Sequence, residues 1–203
     1  MQYSSKRVFR VMVFQRTRYS SLRNKFSITG VLLLCCTLAS GCLIADKQTV
    51  EMSLISPQRG RVTYIYHGIK SDSNEEDEIK KDFDELTAMV SEESRAQASE
   101  NDKIKIERWN IDVDENDLVY GAVEATFNVP EFFAYNDYKI SNEEIIIVLP
   151  IVNNQKLTSN GKIVKTKNNY VLVWPKDSKN LEWTIVDKDS MKYPSNLNKF
   201  FIQ

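Results

Sequence analysis

The residues able to carry covalent or acid–base chemistry are few. The chain has a single histidine, His67, and three cysteines, Cys35, Cys36 and Cys42. Any Ser-His-Asp or Cys-His arrangement must use His67. It follows Tyr66 where an alternating apolar stretch ends, and no G-x-S-x-G turn is present. Its expected role is that of an ordinary strand-end imidazole. The segment Asp112-Val113-Asp114-Glu115-Asn116-Asp117 begins like a calcium loop. Such a loop needs Gly at its sixth position and Glu at its twelfth. Asp117 and Val123 stand there, and Glu124 comes one place late, so a solvated turn is expected. The carboxylates from Asp72 to Glu85 share a helical pattern with Lys80 and Lys81 and read as a solvated face. Glu131, Glu143 and Glu144 are the only pairing that suggests glycosidase-like acid and base, and spacing gives them no separation. No phosphate-cradling glycine loop, Walker motif or His-rich metal spacing occurs. No cofactor or metal is expected.

Cys42 carries a different chemistry. The first 41 residues hold seven basic side chains (Lys6, Arg7, Arg10, Arg16, Arg18, Arg23, Lys25) and no acidic one. Phe26–Ala45 is uncharged, with Val31–Leu38 as its apolar heart. Basic residues before an apolar run hold the N-terminus on the cytoplasmic side, and the order matches a secretory signal. Met12 would serve equally well as the start, because four of the basic residues follow it. Leu38-Ala39-Ser40-Gly41-Cys42 resembles the lipobox of a bacterial lipoprotein, with small residues immediately before the cysteine. One departure is that Ala39 stands where that family usually has Leu, with Leu38 one place further out. The resemblance implies that the Cys42 thiol is acylated and that cleavage precedes it. It also implies a cell-envelope location. Leu43 and Ile44, rather than Asp, follow the cysteine, which implies the outer membrane where a cell has two. The competing reading is an uncleaved anchor, since about 20 apolar residues span a bilayer; Ser27, Thr29, Gly30, Thr37, Ser40 and Gly41 dilute this run.

Cleavage would leave residues 42–203. Of the 27 basic residues the seven in the leader are lost, leaving 20 against 28 acidic, a body of about −8. Such a body is a poor match for nucleic acid, whose phosphates need a basic stripe. With Cys42 acylated, no thiol remains for a disulfide or a zinc site. Stability must come from the core, and the length suits one domain.

Three regions are expected: a signal peptide over 1–41, a short tether over 42–48 reaching roughly 20 Å, and one globular domain over 49–203. Thr49–Ser56 and Arg61–His67 alternate around Pro57-Gln58-Arg59-Gly60, predicting a hairpin. Ser73-Asn74-Glu75-Glu76 predicts a capping box. Ile79, Phe83, Leu86, Met89 and Val90 then predict a helix over Asn74–Ala96. Strands are predicted at Lys103–Ile111, Leu118–Val129, Glu144–Val152 (buried on both faces), Ile163–Thr166, Tyr170–Trp174 and Leu181–Val186. Phe200-Phe201-Ile202 is expected to dock on the domain. The predicted class is α+β, a mainly antiparallel sheet with one long amphipathic helix on a face. The order from lipidated cysteine to helix loosely resembles small lipoproteins such as the mycobacterial LppM type.

The aromatic segment Pro130–Tyr138 lies between strands. Phe132, Phe133, Tyr135 and Tyr138 are the candidate interaction loop, since aromatic anchors dominate interfaces; plugging an open sheet end is the competing role. Trp174 and Trp183 are expected in the core. The function expected is a non-enzymatic interaction or structural module, held to the membrane by lipid on Cys42 and facing an envelope protein. A carboxylate hydrolase, or a module for lipid or another small apolar ligand, are the alternatives.

Overall fold

The computed structural model describes residues 43–91, 104–133 and 138–201. Cys42, Tyr135 and Ile202 lie outside these residues, as does the end of the predicted helix.

Among the described residues ten strands form two antiparallel sheets. They are β1 (Leu43–Leu54), β2 (Arg59–Ser71), β3 (Ile104–Val113), β4 (Val119–Asn128), β5 (Tyr138–Ile140), β6 (Glu144–Pro150), β7 (Gln155–Ser159), β8 (Lys162–Lys165), β9 (Asn169–Pro175) and β10 (Asn180–Asp187). Helix α1 spans Glu76–Met89, and a single turn, α2, spans Val129–Phe132. The large sheet has the order β3-β4-β2-β1-β10-β7, and the small one β5-β6-β9-β8. The fold is mainly antiparallel β with one helix of 14 residues.

Alternation explains the large sheet. Val50 and Met52 of β1 lie opposite Tyr64 and Val62 of β2 and opposite Trp183 and Leu181 of β10. Val123, Ala125 and Phe127 of β4 continue the same face, opposite Tyr64, Val62 and Gly60. The intervening positions (Thr49, Glu51, Ser53, Arg61, Thr63, Glu124, Glu182, Thr184) are polar and meet water. Gly60 is needed where it stands: a Cβ there would lie 2.2 Å from the Phe127 ring. Ile145, Ile147, Leu172 and Trp174 of the small sheet join the same core.

Several expectations need correction. The tether over 42–48 is not one: Leu43–Gln48 is the first half of β1, paired with β2 from Leu43 and with β10 from Lys47. Leu43 is 3% exposed. Pairing with β2 and the burial of Leu43 hold this stretch extended despite its poor alternation. The partner strand likewise runs past His67 to Ser71, after Gly68 at φ +65° shifts its pairing with β4. Beyond this bulge the buried residues are Ile69, Lys70 and Ser71.

The capping box does not form. The Ser73 hydroxyl accepts from Glu75 N and donates to Glu78, so α1 starts at Glu76 with no side-chain cap. At the other end Thr87 donates back to the carbonyls of Phe83 and Asp84, no cation meets the last turn, and the helix stops at Met89. β6 is not buried on both faces: Ile145 and Ile147 are fully buried, whereas Ile146 and Val148 are half-buried, because the small sheet meets the core with one face. Strands β5 and β7 have no clear alternation in the sequence.

Candidate functional site

The antiparallel register sorts the loops into two ends. At one end lie Leu43, Ser71, the β3–β4 turn and the segment after β10; at the other lie the β1–β2 turn and α2.

The Leu43 end holds a polar knot. Lys70, 4% exposed, places Nζ 2.9 Å from Asp46 Oδ2 and donates to the Tyr193 carbonyl at 3.1 Å. Ser190 Oγ is 2.8 Å from both Asp46 Oδ1 and the Asp187 carbonyl, so its one proton is shared. Gly68 makes this possible, since a Cβ at 68 would lie 2.4 Å from Asp46 Oδ2. Asn196 accepts from Ser71 N and donates to the carbonyls of Ser71 and Ser73. Ser71 Oγ donates to Asp82 of α1 at 2.5 Å. Burial is the main reason that the Asp82 carboxyl titrates above its ordinary range; Ser71 opposes it, and Glu85, Asp72 and Glu78 add to it.

These bonds fasten a strap, residues 188–201, across the end of the large sheet. Its two single turns are Ser190–Lys192 and Asn198–Phe200. Leu197 of the strap is fully buried. Further along, Lys199 pairs with Glu76 at 2.7 Å, and Phe200 and Phe201 meet the Phe83 ring at 5.2 and 5.0 Å. The expected docking of Phe200 and Phe201 thus takes place on α1.

The knot contains two serine–carboxylate pairs, Ser71–Asp82 and Ser190–Asp46, yet neither is arranged for nucleophilic catalysis. All four groups except Asp46 are almost wholly buried, and Lys70 is committed to a carboxylate and a carbonyl. What the arrangement does is satisfy charge in a closed space. Among the described residues no buried side-chain nitrogen or oxygen lacks a partner.

The other candidates are scattered. His67 sits within β2, not at its end, opposite Lys47 and Tyr120. Burial first, then Lys47, lowers its pKa, against Asp114. Asp114 Oδ1 accepts from the amides of Asn116 and Leu118, and Asp117 takes φ +58°, so the calcium-like segment is a hairpin turn. Among the described residues no cluster of three metal-ligating side chains occurs, and no helix is long and apolar enough to cross a membrane. Glu131, Glu143 and Glu144 are exposed on α2 and at the start of β6.

Phe132, Phe133 and Tyr138 do come together, at the end opposite Leu43. Phe132 lies 4.3 Å from Phe127, 5.5 Å from Phe133 and 4.8 Å from Tyr138, centroid to centroid. All three are half-buried, and Asn128 caps their turn by accepting from Glu131 N. They pack against the core while remaining partly exposed. Trp174 and Trp183 are core residues, 6.2 Å apart. Asn160 ties the two sheets beside them: Oδ1 accepts from the Trp174 indole at 2.7 Å and from Glu182 N at 2.9 Å, and Nδ2 donates to the Asn180 carbonyl.

The knot itself was missed by sequence reasoning. Asp46, Lys70 and Ser190 are far apart in the chain, and only the glycine two residues before Lys70 hints at a special backbone there. No family model, curated protein or solved structure matches this chain.

Proposed function

We propose that the protein is a lipoprotein of the cell envelope, acylated at Cys42, whose body is a non-enzymatic interaction or structural module. The observation that supports this is the sequence Leu38-Ala39-Ser40-Gly41-Cys42 behind a basic, then apolar, leader. The fold is compatible with it in a specific way: Leu43, the residue bonded to Cys42, is already in β1, so an acyl chain on Cys42 would leave little slack between bilayer and sheet. In this reading the Phe132, Phe133 and Tyr138 cluster faces away from the membrane and meets an envelope protein.

The test is metabolic labelling with an alkyne palmitate analogue, comparing wild type with Cys42→Ala and reading the mature N-terminus by mass. Labelled protein beginning at Cys42, with the label lost in the variant, is the expected result. An unlabelled protein that keeps its leader would overturn the proposal.

A further inference from the structure

We propose that the strap over residues 188–201 is a second membrane contact, with Met191 and Tyr193 seated in the headgroup layer of the bilayer that holds Cys42. This rests on the acylation of Cys42 proposed above.

Connectivity sets the location. Cys42 is bonded directly to Leu43, and consecutive Cα atoms are about 3.8 Å apart. Leu43 pairs with Ser71, and Ser71 is bonded to Asn196 of the strap. Whatever surface receives the acyl chain therefore lies within a few residues of the strap. The strap cannot swing clear, because Asp46, Lys70 and Ser71 hold it at Ser190, Tyr193 and Asn196.

Its outward chemistry suits an interface. Met191 is 56% exposed and Tyr193 38% exposed, two of the five large apolar side chains so exposed among the described residues. Tyrosine with a wet hydroxyl and a buried ring is the side chain of bilayer interfaces. Lys192 and Lys199 are already paired, with Asp189 and Glu76, and the acidic β3–β4 turn lies alongside through the Ser195–Asp117 contact. A charge-driven attraction to anionic lipid is therefore not what this end offers. Insertion of apolar and aromatic side chains among neutral headgroups is.

Ile55 provides a matched control. It is 54% exposed and lies just beyond the far end of β1, eleven residues from Leu43 to Leu54, or roughly 36 Å of strand.

The experiment uses the full acylated chain carrying Met191→Cys, Tyr193→Cys or Ile55→Cys. Cys42 is blocked by its lipid, so each new thiol takes a fluorophore selectively. The proteins are placed in phosphatidylcholine vesicles with and without nitroxide-labelled lipid. Quenching of about half or more at 191 and 193, with little at 55, is expected of side chains seated in the interface. Quenching at 191 and 193 no greater than at 55, in protein that floats with the vesicles, would overturn the strap contact and leave the acylation standing. Protein that fails to float, with an unmodified Cys42 by mass, would overturn both.

Discussion

Replacing Asp46 with alanine tests the strap most directly. Asp46 supplies the carboxylate that neutralises Lys70, whose side chain is 4% exposed. Removing one member of a buried ion pair costs about 3–5 kcal/mol, because the surviving charge keeps its desolvation penalty and loses its partner. Asp46 itself is 19% exposed. Water reaching the pair screens it, which places the expected loss near the low end, about 3 kcal/mol. Ser190 adds little, since it keeps the Asp187 carbonyl as acceptor. The loss falls on the strap and on the start of β1. If it appears as local opening, about 3 kcal/mol is a rise of roughly 150-fold in the opened population. Two assays separate the cases: urea unfolding followed by tryptophan fluorescence reads global stability, and amide exchange at Ser190, Tyr193 and Ser71 reads the strap. The double variant Asp46→Ala, Lys70→Met removes both charges and should recover most of the loss. A single variant within about 0.5 kcal/mol of wild type in both assays, or a double variant no better than the single, would refute the reasoning.

Asn160→Ala should lose about 1–2 kcal/mol, since the part-buried Trp174 indole loses its acceptor while the exposed Glu182 amide can turn to water; Asn160→Asp keeps that acceptor and should lose less, as thermal melts would check. The Asp82 carboxyl, titrating above 3.8 in the fold, binds its proton more tightly folded than unfolded. Its contribution therefore turns unfavourable as pH rises from about 3.8 through its raised folded value, and is absent below that window. Asp82→Asn keeps an acceptor for Ser71 and removes the titration. The stability of wild type minus that of the variant should fall with rising pH across the window; a flat difference would show that Asp82 does not titrate there.

The elements legible in the sequence are those in which side-chain alternation and burial agree. Val50, Met52, Val62 and Tyr64 announce the hairpin, and Val123, Ala125 and Phe127 announce β4. Where register rather than side chains decides, the pattern is silent. Leu43–Gln48 carries Asp46 and Lys47 and reads as a linker, yet pairing with β2 from Leu43, joined by β10 from Lys47, holds it extended. β7 has Leu157 alone as an apolar residue and exists because it adds to β10. The capping box had the right spacing at Ser73 and Glu76, and lost because Ser73 Oγ accepts from Glu75 N and donates to Glu78. At the aromatic segment the sequence shows the residue types, but not how far they close the core, because that depends on Phe127 arriving from β4. The Asp46–Lys70–Ser190 knot is tertiary throughout, assembled from strands and a tail that the chain brings together only when folded.

The placement of β1 has a mechanical consequence. β1, which begins at Leu43, is not an edge strand: it is bonded to β2 from Leu43 and lies between β2 and β10 from Lys47 to Ser53. A pull on Cys42 directed along β1 would load both ladders in shear, with many hydrogen bonds sharing the force instead of parting one after another. The partner on one side, β10 (Asn180–Asp187), is the last of the described strands, so the grip closes only after the residues up to Asp187 have been made and folded. A domain tugged at the start of β1 is thereby held by β10 as well as by β2, and its resistance is a matter of unfolding rate, not of equilibrium stability.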